Sequence, residues 1–148
     1  MAEPSNEELQ ALLQAYLNCL ELCRAFKKRT DDPHVREALG SLIDDLQEPL
    51  ATLTSHLRRQ GIAPGAFELD RQGKAGIREV LGTRSLREQL LAVRRCLADL
   101  VTWYTVHLPA ARTDQLPSDW LGSLSAQAQQ MLDNWDQHMV EMKAHVQI

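Results

Sequence analysis

His138, Glu141 and His145 stand at i, i+3 and i+7, a spacing that sets two imidazoles and a carboxylate along one side of a helix. Such a trio is a donor set for a divalent metal, with Glu141 as ligand or general base. The neighbouring Asp133, Asp136 and Lys143 give the same stretch the character of a solvated face, which is the simpler reading. His56 and His107 lie at the shoulders of apolar stripes, near the ends of two other helical segments. Topology decides what they meet. In an up-down-up-down bundle His56 shares an end with His138 and His145, whereas a crossover between the second and third long helices brings it to His107 instead.

Cys19 and Cys23, four residues apart, project along one side of a helix and would make a thiolate pair. Unpaired cysteine in a reducing compartment behaves more often as a small core residue, and Cys96 reads the same way. Trp103, Tyr104, Trp120 and Trp135 offer surfaces for a ligand or a partner, although aromatics at helical spacing are more often core. Trp103 and Trp120 fall at stripe edges and suit a dimer face. Gln89, Cys96, Trp103 and His107 form a row beside them.

The elements that must position these groups are marked by their ends. Ser5 and Glu8 have the spacing of a capping box, opening a helix whose stripe is Leu9, Leu12, Leu13, Tyr16, Leu20 and Cys23 and whose end is the basic run Lys27-Lys28-Arg29. Asp32-Pro33 restarts the chain as cap and first helical residue, and leucines run at helical period to Gly61, a stop signal. Pro49 falls inside that helix, where a bend rather than a break is expected. Five of the seven glycines lie between 61 and 84, in the one long connection. Ser85 and Glu88 open a third long helix with Leu86, Leu90, Val93, Leu97, Leu100 and Tyr104 inward, stopped by Pro109. Pro117-Ser118-Asp119 begins a fourth, with Leu121, Leu124, Ala128, Met131, Leu132, Trp135, Met139, Met142 and Val146 inward. The expected fold is all-α, an antiparallel four-helix bundle in a single domain over 1–148. Its long helices cover about 6–29, 33–60, 85–108 and 118–146, with a short helix at about 74–81.

Bulk properties exclude several classes. No apolar run reaches the roughly 18 residues of a membrane span. The start, Met1-Ala2-Glu3-Pro4-Ser5, lacks the basic and apolar regions of a signal peptide, so a cytoplasmic location is expected. A net charge of -4 argues against nucleic acid, since Arg58-Arg59 and Arg94-Arg95 are only short basic pairs.

Asp32-Pro33, the leucine-rich step to Arg58-Arg59-Gln60-Gly61 and the Gly/Pro-containing connection after it resemble short bacterial ferritin-like domains of unassigned function. The resemblance implies a ferritin-like bundle whose second and third long helices run parallel through a long crossover. Active ferritin-like proteins draw a Glu from each of two helices and a Glu-x-x-His from each of the others. This sequence contains no Glu-x-x-His; the nearest pattern is Asp31-Asp32-Pro33-His34 at a helix start. Glu21 points away from its stripe, and Asp45 and Asp99 sit off the centre of theirs. A set of His56, His138 and His145 would be similar to DinB-like metal proteins, which usually hold a closer His pair on the last helix.

The leading expectation is a non-catalytic, metal-free ferritin-like module with a structural or interaction role, binding no cofactor and forming a homodimer through helix faces. Trp103, His107, Trp120 and Trp135 are its candidate interface or pocket residues. One alternative is a mononuclear metal protein using His56, His138 and His145 with Glu141. The other is a small-molecule carrier with a cavity lined by Met131, Met139, Met142 and the tryptophans.

Overall fold

A computed structural model describes residues 4–108 and 119–145, with the side chains of Pro64, Ala66, Asp119, Ala144 and His145 outside that description. The described residues are helical throughout their regular structure: α1 (Asn6–Arg29), α2 (Pro33–Arg59), α3 (Arg71–Thr83), α4 (Leu86–His107) and α5 (Asp119–His145), with a 3-10 turn at Pro64–Phe67. The first three long helices start and stop within about one residue of where their caps predict. The stop at Pro109, the Pro117-Ser118 approach and Val146 fall outside the described residues. None of the described helices is long and apolar enough to cross a membrane.

The ends form for the expected chemical reasons. Ser5 Oγ accepts from the Glu8 N–H at 3.1 Å while Glu8 Oε1 accepts from the Ser5 N–H at 2.9 Å, a complete capping box. Asp32 Oδ1 accepts from the Val35 N–H at 3.0 Å, and the Ser85 Oγ from the Glu88 N–H at 3.2 Å. Between α1 and α2, Arg36 reaches back to donate to the Lys27 carbonyl at 2.6 Å, satisfying the end of α1 from the start of its successor. Helix α2 continues unbroken through Pro49, which is buried.

Gly61 closes α2 with φ +81, the left-handed conformation. Its N–H donates to Arg58 O at 3.0 Å and the Ile62 N–H to Leu57 O at 3.2 Å, the two bonds of a Schellman motif. A Cβ here meets nothing within 4 Å, so the penalty for a side chain is conformational alone. Gly61→Ala is expected to cost about 1 kcal/mol in urea unfolding, from the left-handed penalty on an L-residue. A loss under about 0.3 kcal/mol would show that the cap rearranges without cost.

Helix α3 differs from its expectation, extending to both sides of 74–81. Asp70 caps it by accepting from the Gly73 N–H at 2.8 Å, a start that the glycines after it disguise. The connection is tied down by Gln14, whose Nε2 donates to Glu68 O at 2.9 Å and whose Oε1 accepts from the Asp70 N–H at 3.2 Å.

Helix α1 packs against α2, α3 and α4, and α5 packs against α2 and α4. One apolar core fills the space between them. It includes Tyr16, Phe26, Leu39, Leu46, Leu53, Leu97, Tyr104 and Trp135, and no polar or charged residue is buried among the described ones. The inward residues predicted for the fourth long helix are buried from Leu121 to Met142, except Met139, which is half-buried.

Candidate functional site

The histidines do not assemble as the three-histidine arrangement requires. His56, at the end of α2, stacks on Trp120 at the start of α5 with ring centroids 4.6 Å apart. Trp120 precedes His138 by 18 residues of continuous helix, about 27 Å at 1.5 Å per residue. His138 instead lines a 180 Å³ cavity with Glu141, His34 and Glu37, and its Nδ1 stands 3.9 Å from Glu141 Oε2. The His145 side chain lies outside the described residues. Among those described, no group of three His, Cys, Asp or Glu side chains is placed to hold a metal ion.

Trp103 and His107 form a second cluster at the end of α4. Their rings stack at 4.1 Å, His107 Nδ1 bonds Trp103 O at 2.8 Å, and His107 Nε2 contacts Glu8 Oε2 at 3.0 Å. Both partners are acceptors, so both bonds form together only with an imidazolium. The Trp103 Nε1 is buried with no hydrogen-bond partner among the described residues. Trp135 sits fully inside the core and donates from Nε1 to Leu90 O at 3.2 Å. The methionines predicted to line a carrier cavity pack in or against the core: Met131 and Met142 are buried, Met139 is half-buried, and Met142 touches the small cavity beside His138.

The larger space lies elsewhere, under α3. A groove of about 490 Å³ opens between α1, α3 and α4. Its size falls within the range of small-molecule sites, which the 180 Å³ cavity does not reach. Leu22 comes from α1, Ile77 and Val80 from α3, and Leu91 and Ala92 from α4. Leu91 is 41% exposed, one of three large apolar residues so open among those described. Asn18, Cys96, Arg95 and Asp99 bring polar groups to the same space, and Arg84, at the rim, is engaged by Glu79 and Glu88, both at 3.3 Å.

Gly73 and Gly76 sit three apart on the lining face of α3; a Cβ added at Gly76 would meet nothing within 4 Å, whereas one at Gly73 would strike Leu69 Cδ1 at 2.7 Å, so only Gly76 leaves open space. Helix α3 buries only Ile77 of its own residues, so it rests on α1 and α4 with an open seam beneath it. Spacing and stripe do not reveal the groove; Gly76, and Leu91 on the outer side of its stripe, mark it only once the helices are placed.

Cys96 lies at the floor. Asn18 Nδ2 donates to its Sγ at 3.2 Å. The neighbouring Cys19 thiol, the Asn18 donor and the Arg95 charge hold the Cys96 thiol below its ordinary range, against burial and the Asp99 carboxylate. Burial drives Cys19 far upward, as it does Cys23.

The sequence matches no protein-family profile, no curated protein and no solved structure.

Proposed function

We propose that the chain is a metal-free, ferritin-like four-helix bundle that holds a small, largely apolar molecule in the groove under α3. Contact order supports the topology. Glu8 near the start of α1 meets His107 at the end of α4, while the later Asn18 meets the earlier Cys96, the register of antiparallel neighbours. The end of α2 meets the start of α5 through His56 and Trp120, and the start of α2 meets the later part of α5 through Glu37 and His138. Trp135 reaching Leu90 sets α4 against α5 in the same sense. Helices α2 and α4 then run parallel through a long crossover, as ferritin-like topology requires.

A di-iron centre would need carboxylates and histidines inside such a bundle. Here inward positions carry Tyr16 in the middle of α1 and Tyr104 in the last turn of α4, whose hydroxyls bond each other at 2.6 Å. Asp45 and Asp99 are exposed and Glu21 pairs with Arg24 at 3.4 Å, outside the core. An unpaired carboxylate moved inward would be penalised by several kcal/mol.

The groove carries the functional reading, because apolar walls with a few converging polar groups are the general character of a ligand site. The occupant is an apolar body with one polar end, placed toward Asn18 and Arg95. The test uses N-phenyl-1-naphthylamine, a neutral apolar dye whose emission rises in such sites. Saturable binding at one site per chain is expected, and Gly76→Leu should abolish it while leaving the helical signal intact, since leucine favours helix over glycine. Binding that survives Gly76→Leu, or no saturable binding, would overturn the assignment.

A further inference from the structure

Helix α3 covers the groove without being built into the bundle. It buries one of its 13 residues, Ile77, where its neighbour α4 buries six of 22. Val80 and Leu81 are half-buried against the core, and Leu69 is buried just ahead of the helix. The α3 side chains that bond among the described residues bond locally, Thr83 to the Glu79 carbonyl and Glu79 to Arg84. Beneath it, α1 packs directly on α2 and α4, so the four long helices keep most of their shared core whether or not α3 is seated.

The polar ties of this segment stand at its two ends. Before it, Gln14 on α1 holds the backbone on both sides of Leu69, donating from Nε2 to Glu68 O at 2.9 Å and accepting at Oε1 from the Asp70 N–H at 3.2 Å. After it, Gln89 Nε2 donates to Leu81 O at 3.4 Å and Arg84 O at 3.1 Å, and Arg84 pairs with Glu88 at 3.3 Å. Between these ties Gly73, Gly76 and Gly82 each lower the helix's own propensity. A helix of 13 residues with three glycines does not persist alone in water, so leaving the seat and unwinding are one event.

We infer that α3 is the gate of the groove: residues 70–84 open as a unit while the four long helices stay folded, with Gln14 as the latch that sets how often they do. Opening uncovers the inner wall, where Leu22 and Cys96 are 2% and 9% exposed with α3 seated. Local opening gives up the burial of Ile77, Leu69 and two half-buried side chains, whereas global unfolding gives up the whole core, so the local event requires far less free energy and is far more frequent. The gate concerns access and not the occupant. It is tested on the ligand-free protein, so the dye can fail to bind while α3 opens, and the reverse.

The experiment is native-state amide hydrogen exchange, with iodoacetamide labelling of Cys96 as a second readout. In the wild-type protein the α3 amides from Lys74 onward should exchange at least about 100-fold faster than the slowest amides of α1 and α4. Gln14→Ala removes the two latch bonds from a position that stays helical, and should raise α3 exchange about ten-fold while leaving α2 and α5 unchanged. Gly76→Ala, whose Cβ meets nothing within 4 Å, should slow α3 exchange about five-fold. Cys96 labelling should rise and fall with α3 exchange in the two variants, while Cys23, fully buried and outside the groove, stays unlabelled. Exchange of α3 in one step with α1 and α4, α3 exchange unmoved by Gln14→Ala, or Cys96 labelling unmoved by both variants would each overturn the gate.

Discussion

Trp135→Ala is expected to remove about 3–5 kcal/mol of stability, a typical cost for deleting a large aromatic from a core. The side chain is 1% exposed, and its Nε1 ties α5 to α4 through the Leu90 carbonyl at 3.2 Å. Against a total of about 5–15 kcal/mol for an ordinary domain, this loss brings the folded state close to its limit. In calorimetry it should lower the melting temperature by about 10 °C or more. Trp135→Phe separates the two contributions, since it keeps most of the ring and loses the indole donor, so a cost of about 1–2 kcal/mol is expected. The other link between these helices is weaker. Arg94 donates to Asp136 from two nitrogens at 2.6 and 3.2 Å, yet both side chains are more than 40% exposed, and solvent screening limits such a pair to about 1 kcal/mol or less. Arg94→Ala should therefore hardly move the melting temperature. If the two variants ranked in the opposite order, the seam between α4 and α5 would be electrostatic and the core packing described for Trp135 would be wrong.

How far the sequence could be read depended on whether a feature is local. The Ser5–Glu8 box, the Asp32 and Ser85 caps and the Gly61 stop each use partners within a few residues, and each is found where spacing placed it. Helical periodicity likewise identified the inward leucines, because a stripe is a property of one helix. Helix α3 was underestimated since Gly73, Gly76 and Gly82 depress its propensity, while Asp70 and packing through Ile77 support it. The histidines show the limit more sharply. Spacing placed His138 and Glu141 on one side of a helix, but it could not say that His34 and Glu37 would face them, nor that His56 would lie on Trp120. Both depend on which way α2 and α5 run, and no local pattern carries that. The groove was harder still. It exists where α3 crosses α1 and α4 and Gly76 leaves room, and an unfilled volume has no residue type to announce it.

The second large effect expected is alkaline unfolding between about pH 9 and 12, driven by four buried acidic protons. Burial raises Tyr16 to about 12, partly offset by its bond to Tyr104, and raises Tyr104 as well, with the neighbouring Tyr16 adding to the rise. Burial also pushes Cys19 and Cys23 upward. All four are neutral in the folded protein, so their stability contribution is fully present below the unfolded values and is lost as pH climbs toward the folded ones. The unfolded chain begins to shed its thiol protons near pH 9 and its phenol protons near pH 10, while the folded chain keeps them. Each such group lowers stability by about 1.4 kcal/mol per pH unit. The tyrosines alone then account for about 5 kcal/mol by pH 12, comparable with the whole stability of many domains. No matching loss is expected in mild acid, because the carboxylates held below their usual range, Glu8 and Glu88, lie at the exposed surface where solvent screens them. The chain has only two tyrosines, so tyrosinate absorbance reports this pair alone. Its rise should coincide with loss of the helical signal in far-UV circular dichroism. Tyr16→Phe should cost about 1–3 kcal/mol at neutral pH by leaving the Tyr104 hydroxyl buried without its partner, and adding Tyr104→Phe should recover much of that loss. The double variant should also unfold at higher pH than the parent, with only the thiols left to titrate. Tyrosinate appearing near pH 10 while the helices remain intact would mean that the two hydroxyls reach water, and that the centre of the core is not closed.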